Sequence, residues 1–211
     1  MPAIIYRNKT GERVPSVTTV ISQWGIKSKP LMYWAWKQGE KGIPLYEKEA
    51  ANIGTLAHLM IDADVKGKEI NLAEFPMNIV EQAKVCYQNF QEWKSRHDFK
   101  PIETEISLVS EEYQFGGTID CVAMLDGKLS ILDLKTGKEV YEDHILQVEA
   151  YQKLFEENFP DHKIDGFHLV RTGKEITMFA HHYYKEFPDA WRAFLLLRQL
   201  YDIHKMIKKL K

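Results

Sequence analysis

The chain has little cysteine, no long apolar run and almost no net charge, and each shortage removes a class of protein. With only Cys86 and Cys121 it cannot supply the four thiolates of an iron–sulfur cluster, nor a disulfide framework. A reducing cytosol suits such a chain. No apolar stretch nears the ~20 residues that a membrane-spanning helix needs, so no membrane partner is expected. The start, Met1-Pro2-Ala3-Ile4-Ile5-Tyr6-Arg7, lacks the apolar core of a signal peptide, and an intracellular location is expected. Lys and Arg number 28 against 30 Asp and Glu, a net charge of −2. That balance gives no global attraction to nucleic acid, so any such binding must come from a local patch or a bound metal. Repeats, low-complexity tracts and linkers are also missing. What is there is enough for a sizeable core: 211 residues, 45% hydrophobic and 12% aromatic, expected as a single domain with residues 1–48 as an N-terminal helical or arm extension.

The most informative stretch runs from Gly116-Gly117-Thr118-Ile119-Asp120 to Asp133-Leu134-Lys135-Thr136-Gly137-Lys138. Gly117 to Met124 and Lys128 to Lys135 are rich in β-branched and apolar residues, and Asp126-Gly127 between them is a type I′ turn signal. A two-residue turn fixes the register. Counting outward, Leu125 faces Lys128, Met124 faces Leu129, and Asp120 comes to face Asp133. Opposed side chains on one face have Cβ atoms roughly 4.5–5.5 Å apart, so two carboxylates there repel unless a cation sits between them. Alternation puts Asp133 and Lys135 on the face of Leu129 and Ile131, with Leu134 on the other. A charged trio at the open end of a buried face suits a hard divalent ion, which one or two carboxylates and substrate phosphates can hold. A lysine beside such an ion can orient or deprotonate an attacking water. The plain alternative is a strand end with ordinary surface charges, since Asp-x-Lys is a common triplet; the opposed aspartates tell against it.

Other elements supply candidates in chain order. Residues 1–15 read as a short hairpin or arm turning near Asn8-Lys9-Thr10-Gly11, and Ser16-Val17-Thr18-Thr19-Val20-Ile21 can open a helix with Ser16 as its cap. From Pro30 to Gly39, Tyr33, Trp34 and Trp36 are interleaved with Lys37 and flanked by Lys27, Lys29 and Lys41. Such a segment can stack bases, although burial of the tryptophans is the plainer expectation. The helix from Ala50 to Val65 carries His58 beside an apolar stripe, where a histidine is ordinarily packed or solvated. A long amphipathic helix, Pro76 to His97, carries nothing catalytic. The strand from Pro101 to Val109 brings Glu103 and Glu105, which share a face with Thr118 and Asp120 if the turn near Glu111-Glu112 is tight. Carboxylates gathered on one face of a three-stranded meander call for a cation or a wide solvent cleft. In the helix from Tyr141 to Asn158, Gln147 and Tyr151 are four apart and lie on one face; an exposed polar pair is the plain reading. A second hairpin, Ile164–Arg171 and Glu175–Tyr183, precedes a leucine-rich helix from Phe187 to Lys211. Its terminal lysines suit the helix dipole and need no nucleic acid to explain them.

Read in order, Gly54-Thr55-Leu56-Ala57-His58, Glu105, Gly117-Thr118-Ile119-Asp120, Asp133-Leu134-Lys135 and Gln147-Val148-Glu149-Ala150-Tyr151 resemble the PD-(D/E)XK nuclease superfamily in its RecB-like exonuclease branch. Each motif is weak alone, but five in order and spacing are specific, and the resemblance extends from Val14-Pro15-Ser16-Val17-Thr18 to the last helix. It implies an α/β fold, a central mixed sheet with an antiparallel three-stranded meander flanked by helices (a restriction-endonuclease-like core). It also implies a Mg²⁺- or Mn²⁺-dependent exonuclease acting on DNA, single-stranded or with a free end. Implied metal ligands are His58, Asp120, Asp133 and the Leu134 carbonyl. Lys135 would serve the attacking water, Glu105 would support metal or water, and Gln147 and Tyr151 would contact the substrate or orient the site. Glu105 matches the spacing better than Glu103. Lacking the four cysteines of the cluster-bearing relatives, the chain resembles the compact phage and mitochondrial type. The alternatives are a structure-selective endonuclease and a non-cleaving DNA-binding module on the same fold.

Overall fold

A computed structural model describes residues 4–25, 28–42, 49–137, 139–175 and 179–210, with side chains left out at 28–31 and 49–51. Lys27, Lys138, Lys211 and the side chain of Lys29 thus lie outside the described residues. The N-terminal strands β1 (Tyr6–Arg7) and β2 (Arg13–Val14) pair antiparallel, closed by Gly11 at φ 83° and by Asn8, whose side chain accepts from Glu12 N–H and the Thr10 hydroxyl. Ser16 caps α1 (Val17–Ile21), its hydroxyl accepting from Thr19 N–H. Three helices follow: α2 (Ser28–Glu40), α3 (Glu49–Val65) and α4 (Met77–Lys94). The sheet then begins with β3 (Phe99–Ser110), β4 (Phe115–Leu125) and β5 (Lys128–Lys135). After α5 (Glu142–Asn158), the chain adds β6 (Gly166–Thr172) and β7 (Phe179–Tyr184) and ends in α6 (Pro188–Lys208). No described helix is long and apolar enough to cross a membrane.

The five-stranded sheet has the order β3-β4-β5-β6-β7. β5 and β6 run parallel and the other neighbours antiparallel, so the mixed sheet opens with the expected meander. α5 is the crossover that a parallel pair requires. Val17, Val20, Ile131, Val148, Leu154, Leu169 and Phe194 pack on the face covered by α1, α5 and α6. On the other face Leu132, Leu134 and Val170 meet Ile61 of α3 and Phe90 and Trp93 of α4.

Asp126 and Gly127 have φ of 49° and 80°, as a type I′ turn requires. The ladder starts at Leu125–Lys128 and is recorded as far as Cys121–Leu132, which leaves Asp120 and Asp133 next in the same count. Between β3 and β4 the turn is looser than the tight one supposed from sequence. Four residues, 111–114, intervene, Gln114 takes φ 55°, and Gln114 N–H donates to the Ser110 carbonyl. Glu157 of α5 pins this turn by accepting from the Ser110 hydroxyl and the Glu111 and Glu112 amides. Pairing of Ser110 with Phe115 nevertheless carries through to Ile106–Ile119 and Thr104–Cys121, and Glu105 falls opposite Asp120.

Alternation along β4 breaks at that point. Phe115 and Ile119 lie in the core under α5, and Gly117 abuts the Tyr151 ring, whereas Cys121, Ala123 and Leu125 pack beneath α3 and α4. Opposite the break stands Glu105 with φ 52°, a left-handed residue inside a strand. The aromatic segment also departs from the plainer expectation: Tyr33, Trp34 and Trp36 of α2 are 61%, 49% and 57% exposed, not buried.

Candidate active site

The parallel pairing of β5 with β6 buries the C-terminal half of β5, and Asp133 with it. Its side chain is 0% exposed. Lys135 Nζ lies 2.5 Å from Asp133 Oδ2, but off the direction of a hydrogen bond, so neither Asp133 oxygen has an aligned donor. This is an ion pair by distance alone. Burial pushes the Asp133 carboxyl up to about 6, with Lys135 opposing the rise and Asp120 adding to it. For Lys135, burial favours loss of the proton, but Asp133 and Asp120 outweigh it and hold the ammonium above its usual range. Lys135 Nζ also donates to Gln147 Oε1 at 3.1 Å, and Gln147 Nε2 donates to the Tyr151 hydroxyl at 2.9 Å. The two α5 residues are therefore a continuation of the Asp133–Lys135 pair and not an exposed polar couple. Burial drives the Tyr151 phenol well above its ordinary value, so it stays protonated.

Asp120 sits across the hairpin. Its Oδ2 accepts from Leu134 N–H at 2.8 Å, which locks the carboxylate against β5. His58 Nδ1 approaches the same oxygen to 3.8 Å. His58 gets there because α3 packs closely on the end of β5: a Cβ on Gly54 would stand 2.8 Å from Thr136 Oγ1. One turn beyond Gly54, the helix presents His58 to Asp120. Ligand atoms of His58, Glu105 and Asp120 all lie within 4.8 Å of one another. Burial raises the Glu105 carboxyl, Asp120 raises it further, and His58 opposes the rise.

Between them is a cavity of about 10 Å³, lined also by Asp62 and Leu134, room for about one water or small ion. Asp133 is not among the three converging donors, although Asp120 and His58 act on its carboxyl. Glu103 is exposed and pairs with Val122, away from the cluster. Asp62 was not singled out from sequence, although it is one turn beyond His58 on the same helical face. Ser107, Thr118 and Tyr6 were not among the site candidates either. Their hydroxyls form a chain beside Glu105, 2.8 Å from Tyr6 to Thr118 and 2.8 Å from Thr118 to Ser107. Nothing local in the sequence ties Tyr6 to a strand more than a hundred residues away.

A family model for the PD-(D/E)XK nuclease superfamily matches residues 33–190. The chain belongs to that superfamily. Its matched segment holds the whole cluster, from His58 to Tyr151. Human mitochondrial genome maintenance exonuclease 1 is 27% identical over 154 residues, which span 65% of this chain and 42% of that protein. This nuclease-superfamily chain thus corresponds to under half the length of that relative. Among solved structures, a candidate exonuclease from Eubacterium rectale matches with a TM-score of 0.48 at 13% identity, over 77% of this chain and 68% of that one.

Nucleases of this superfamily generally use divalent metals, and the side chains here suit one. Two carboxylates and an imidazole converge on a space of ionic size, and Asp133 is a fully buried carboxylate with no aligned donor. Oxygen-rich sites with one imidazole serve Mg²⁺ and, more readily, Mn²⁺.

Proposed function

We propose that this chain is a divalent-metal-dependent DNA exonuclease that hydrolyses phosphodiester bonds from strand ends and prefers single-stranded DNA. The observation that carries the reading is the unbroken run Asp133–Lys135–Gln147–Tyr151 beside the His58, Glu105 and Asp120 donors. A non-cleaving DNA-binding module has no use for a buried Asp–Lys pair braced from a helix.

His58, Glu105 and Asp120 would hold the ion, with Asp133 and the Leu134 carbonyl as further ligands. When bound, the ion supplies charge neutralisation at the phosphate and lowers the pKa of the attacking water. Lys135 keeps its proton between two aspartates, so its part is to orient that water and offer positive charge to the phosphate. Gln147 fixes the ammonium through its carbonyl, and Tyr151 fixes Gln147. The water gives up one proton to solvent as its oxygen bonds to phosphorus, the ester P–O bond breaks, and a proton from solvent completes the departing hydroxyl. Support for action at ends comes from the relative named as an exonuclease. Support for single strands comes from α2, where Tyr33, Trp34 and Trp36 stand exposed and Lys37 Nζ lies 4.6 Å from the Trp36 ring. Such rings stack bases without regard to sequence.

The test is digestion of linear and covalently closed DNA, single- and double-stranded, with Mg²⁺, Mn²⁺ or neither. Linear single strands should be degraded to short products only with metal, and circles should survive. Rapid nicking of circles at low enzyme would make the protein an endonuclease. Asp133→Asn and Lys135→Ala should each lower the cleavage rate about 10²–10⁴-fold, the range for a positioned proton-handling or charged group, with the circular dichroism spectrum unchanged. Wild-type rates in either folded variant would remove these residues from the site.

A further inference from the structure

A second cavity adjoins the metal-binding one, and its chemistry differs. Its volume is about 300 Å³, and it is lined by Ile4, Tyr6, Ser16, Val17, Thr18, Glu105, Gly117, Thr118 and Tyr151. Glu105 is common to the two cavities. Among the described residues no lysine, arginine or histidine lines the larger one, so a phosphate there would face the Glu105 carboxylate with no basic side chain to balance it. The walls instead offer two phenol rings, three aliphatic hydroxyls and apolar side chains. Such a lining suits a flat, uncharged, partly polar group, and the volume is at the small end of ligand pockets.

Both rings are held in place. Tyr6 lies against Gly116, where a Cβ would collide with its ring, and its hydroxyl is tied to Thr118 at 2.8 Å. Tyr151 lies against Gly117, where a Cβ would collide as well, and is bonded to Gln147. Two adjacent glycines thus let two aromatic rings close on one strand. The β1–β2 hairpin is anchored there too, by Gly116 N–H donating to the Pro15 carbonyl and by Asn8 Nδ2 donating to Gln114.

We propose that this cavity receives the nucleoside next to the scissile phosphate, its base against the Tyr6 ring and its sugar toward the Thr118 and Ser16 hydroxyls. The phosphate then lies at the Glu105 boundary, where the cavities meet. The inference rests on the nuclease reading above. Tyr6 becomes a substrate-positioning residue that acts on binding and leaves the chemistry at Lys135 untouched.

The experiment uses single-stranded oligodeoxynucleotides with a free end, in which one nucleotide at successive positions is replaced by an abasic residue or by 2-aminopurine. In cleavage by wild type, an abasic residue at one flanking position should raise KM about tenfold, with kcat changed far less. Tyr6→Phe should keep that discrimination, because the ring remains. Tyr6→Ala should lose it, cutting normal and abasic strands with one KM. Gly116→Ala, which displaces the ring without removing it, should lie between. With Asp133→Asn, read before its slowed cutting sets in, 2-aminopurine at the same position should be quenched, and Tyr6→Ala in that background should relieve the quenching. Equal KM at every abasic position, or quenching that survives Tyr6→Ala, would overturn the assignment. Cutting of closed circles would instead count against end dependence, and the binding readout would still decide the pocket.

Discussion

Glu105 is the residue where fold and chemistry compete. A left-handed conformation costs an L-residue about 1–2 kcal/mol, and glycine would hold φ 52° without that cost. Strain of this kind gathers at functional sites, and here the strained residue carries a carboxylate shared by two cavities. Glu105→Gly should therefore raise stability slightly, by up to about 1 kcal/mol, while cleavage falls at least tenfold. Glu105→Gln should leave stability unchanged and lose activity to a similar degree. Urea unfolding and initial cleavage rates measure both, and a glycine variant that is less stable or fully active would refute the assignment. Glu103 is the control: exposed and paired with Val122, its glutamine variant should cleave within about twofold of wild type, since surface changes seldom matter.

At the scale of elements, the site depends on how α3 meets the end of β5. Alanine at 54 would press on Thr136 Oγ1, and a shift of α3 to relieve that contact would carry His58 away from Asp120. Gly54→Ala should raise the Mn²⁺ concentration for half-maximal cleavage several-fold, and the double variant Gly54→Ala, Thr136→Ala should recover most of it. Contacting residues couple in this way; no recovery in the double variant would mean that Gly54 acts by another route. His58→Ala should shift the same titration further, with partial rescue at high Mn²⁺, and a curve superimposable on wild type would discard His58 as a ligand. The hairpin was legible in the sequence because its turn chemistry fixes register, and helix faces were legible because apolar spacing reports them. Ser16 as a cap and Gln147 with Tyr151 on one face were readable for the same local reasons. The reversal of facing near Glu105 was not, since strict alternation was assumed and a backbone φ leaves no mark in residue type. Asp62 was readable in principle from its spacing to His58. Tyr6 was not: its place depends on a hairpin folding onto β4 across a long chain separation.

The stability of the whole molecule should carry a pH dependence set far from the active site, where β6, β7, α4 and the β4–β5 turn converge. His168 is 8% exposed and its Nδ1 lies 2.7 Å from His181 Nε2. One ring must donate and the other accept, so the pair cannot bind a second proton and keep the bond. Around them stand His97, the Trp93 and Tyr183 rings, Asp126 and Lys128. His97 in turn lies 2.7 Å from Asp126. Burial, and then His181 and His97, push His168 down to about 4, and His181 is lowered by burial and then by His97 and His182. In the unfolded chain a histidine titrates near 6.5. Above that pH both states are neutral and these residues do not affect the balance. As the pH falls from about 6.5 toward 4, the unfolded chain takes up protons that the folded protein refuses, so stability declines. The full loss through His168 is at most about 3 kcal/mol, reached near pH 4. Urea unfolding midpoints between pH 7.5 and 4.5 should fall steadily below pH 6.5. In His168→Gln the decline should flatten by about one proton's worth of slope, whatever the cost of the substitution itself at pH 7.5. A slope identical to that of wild type would mean that His168 is already protonated within the folded protein.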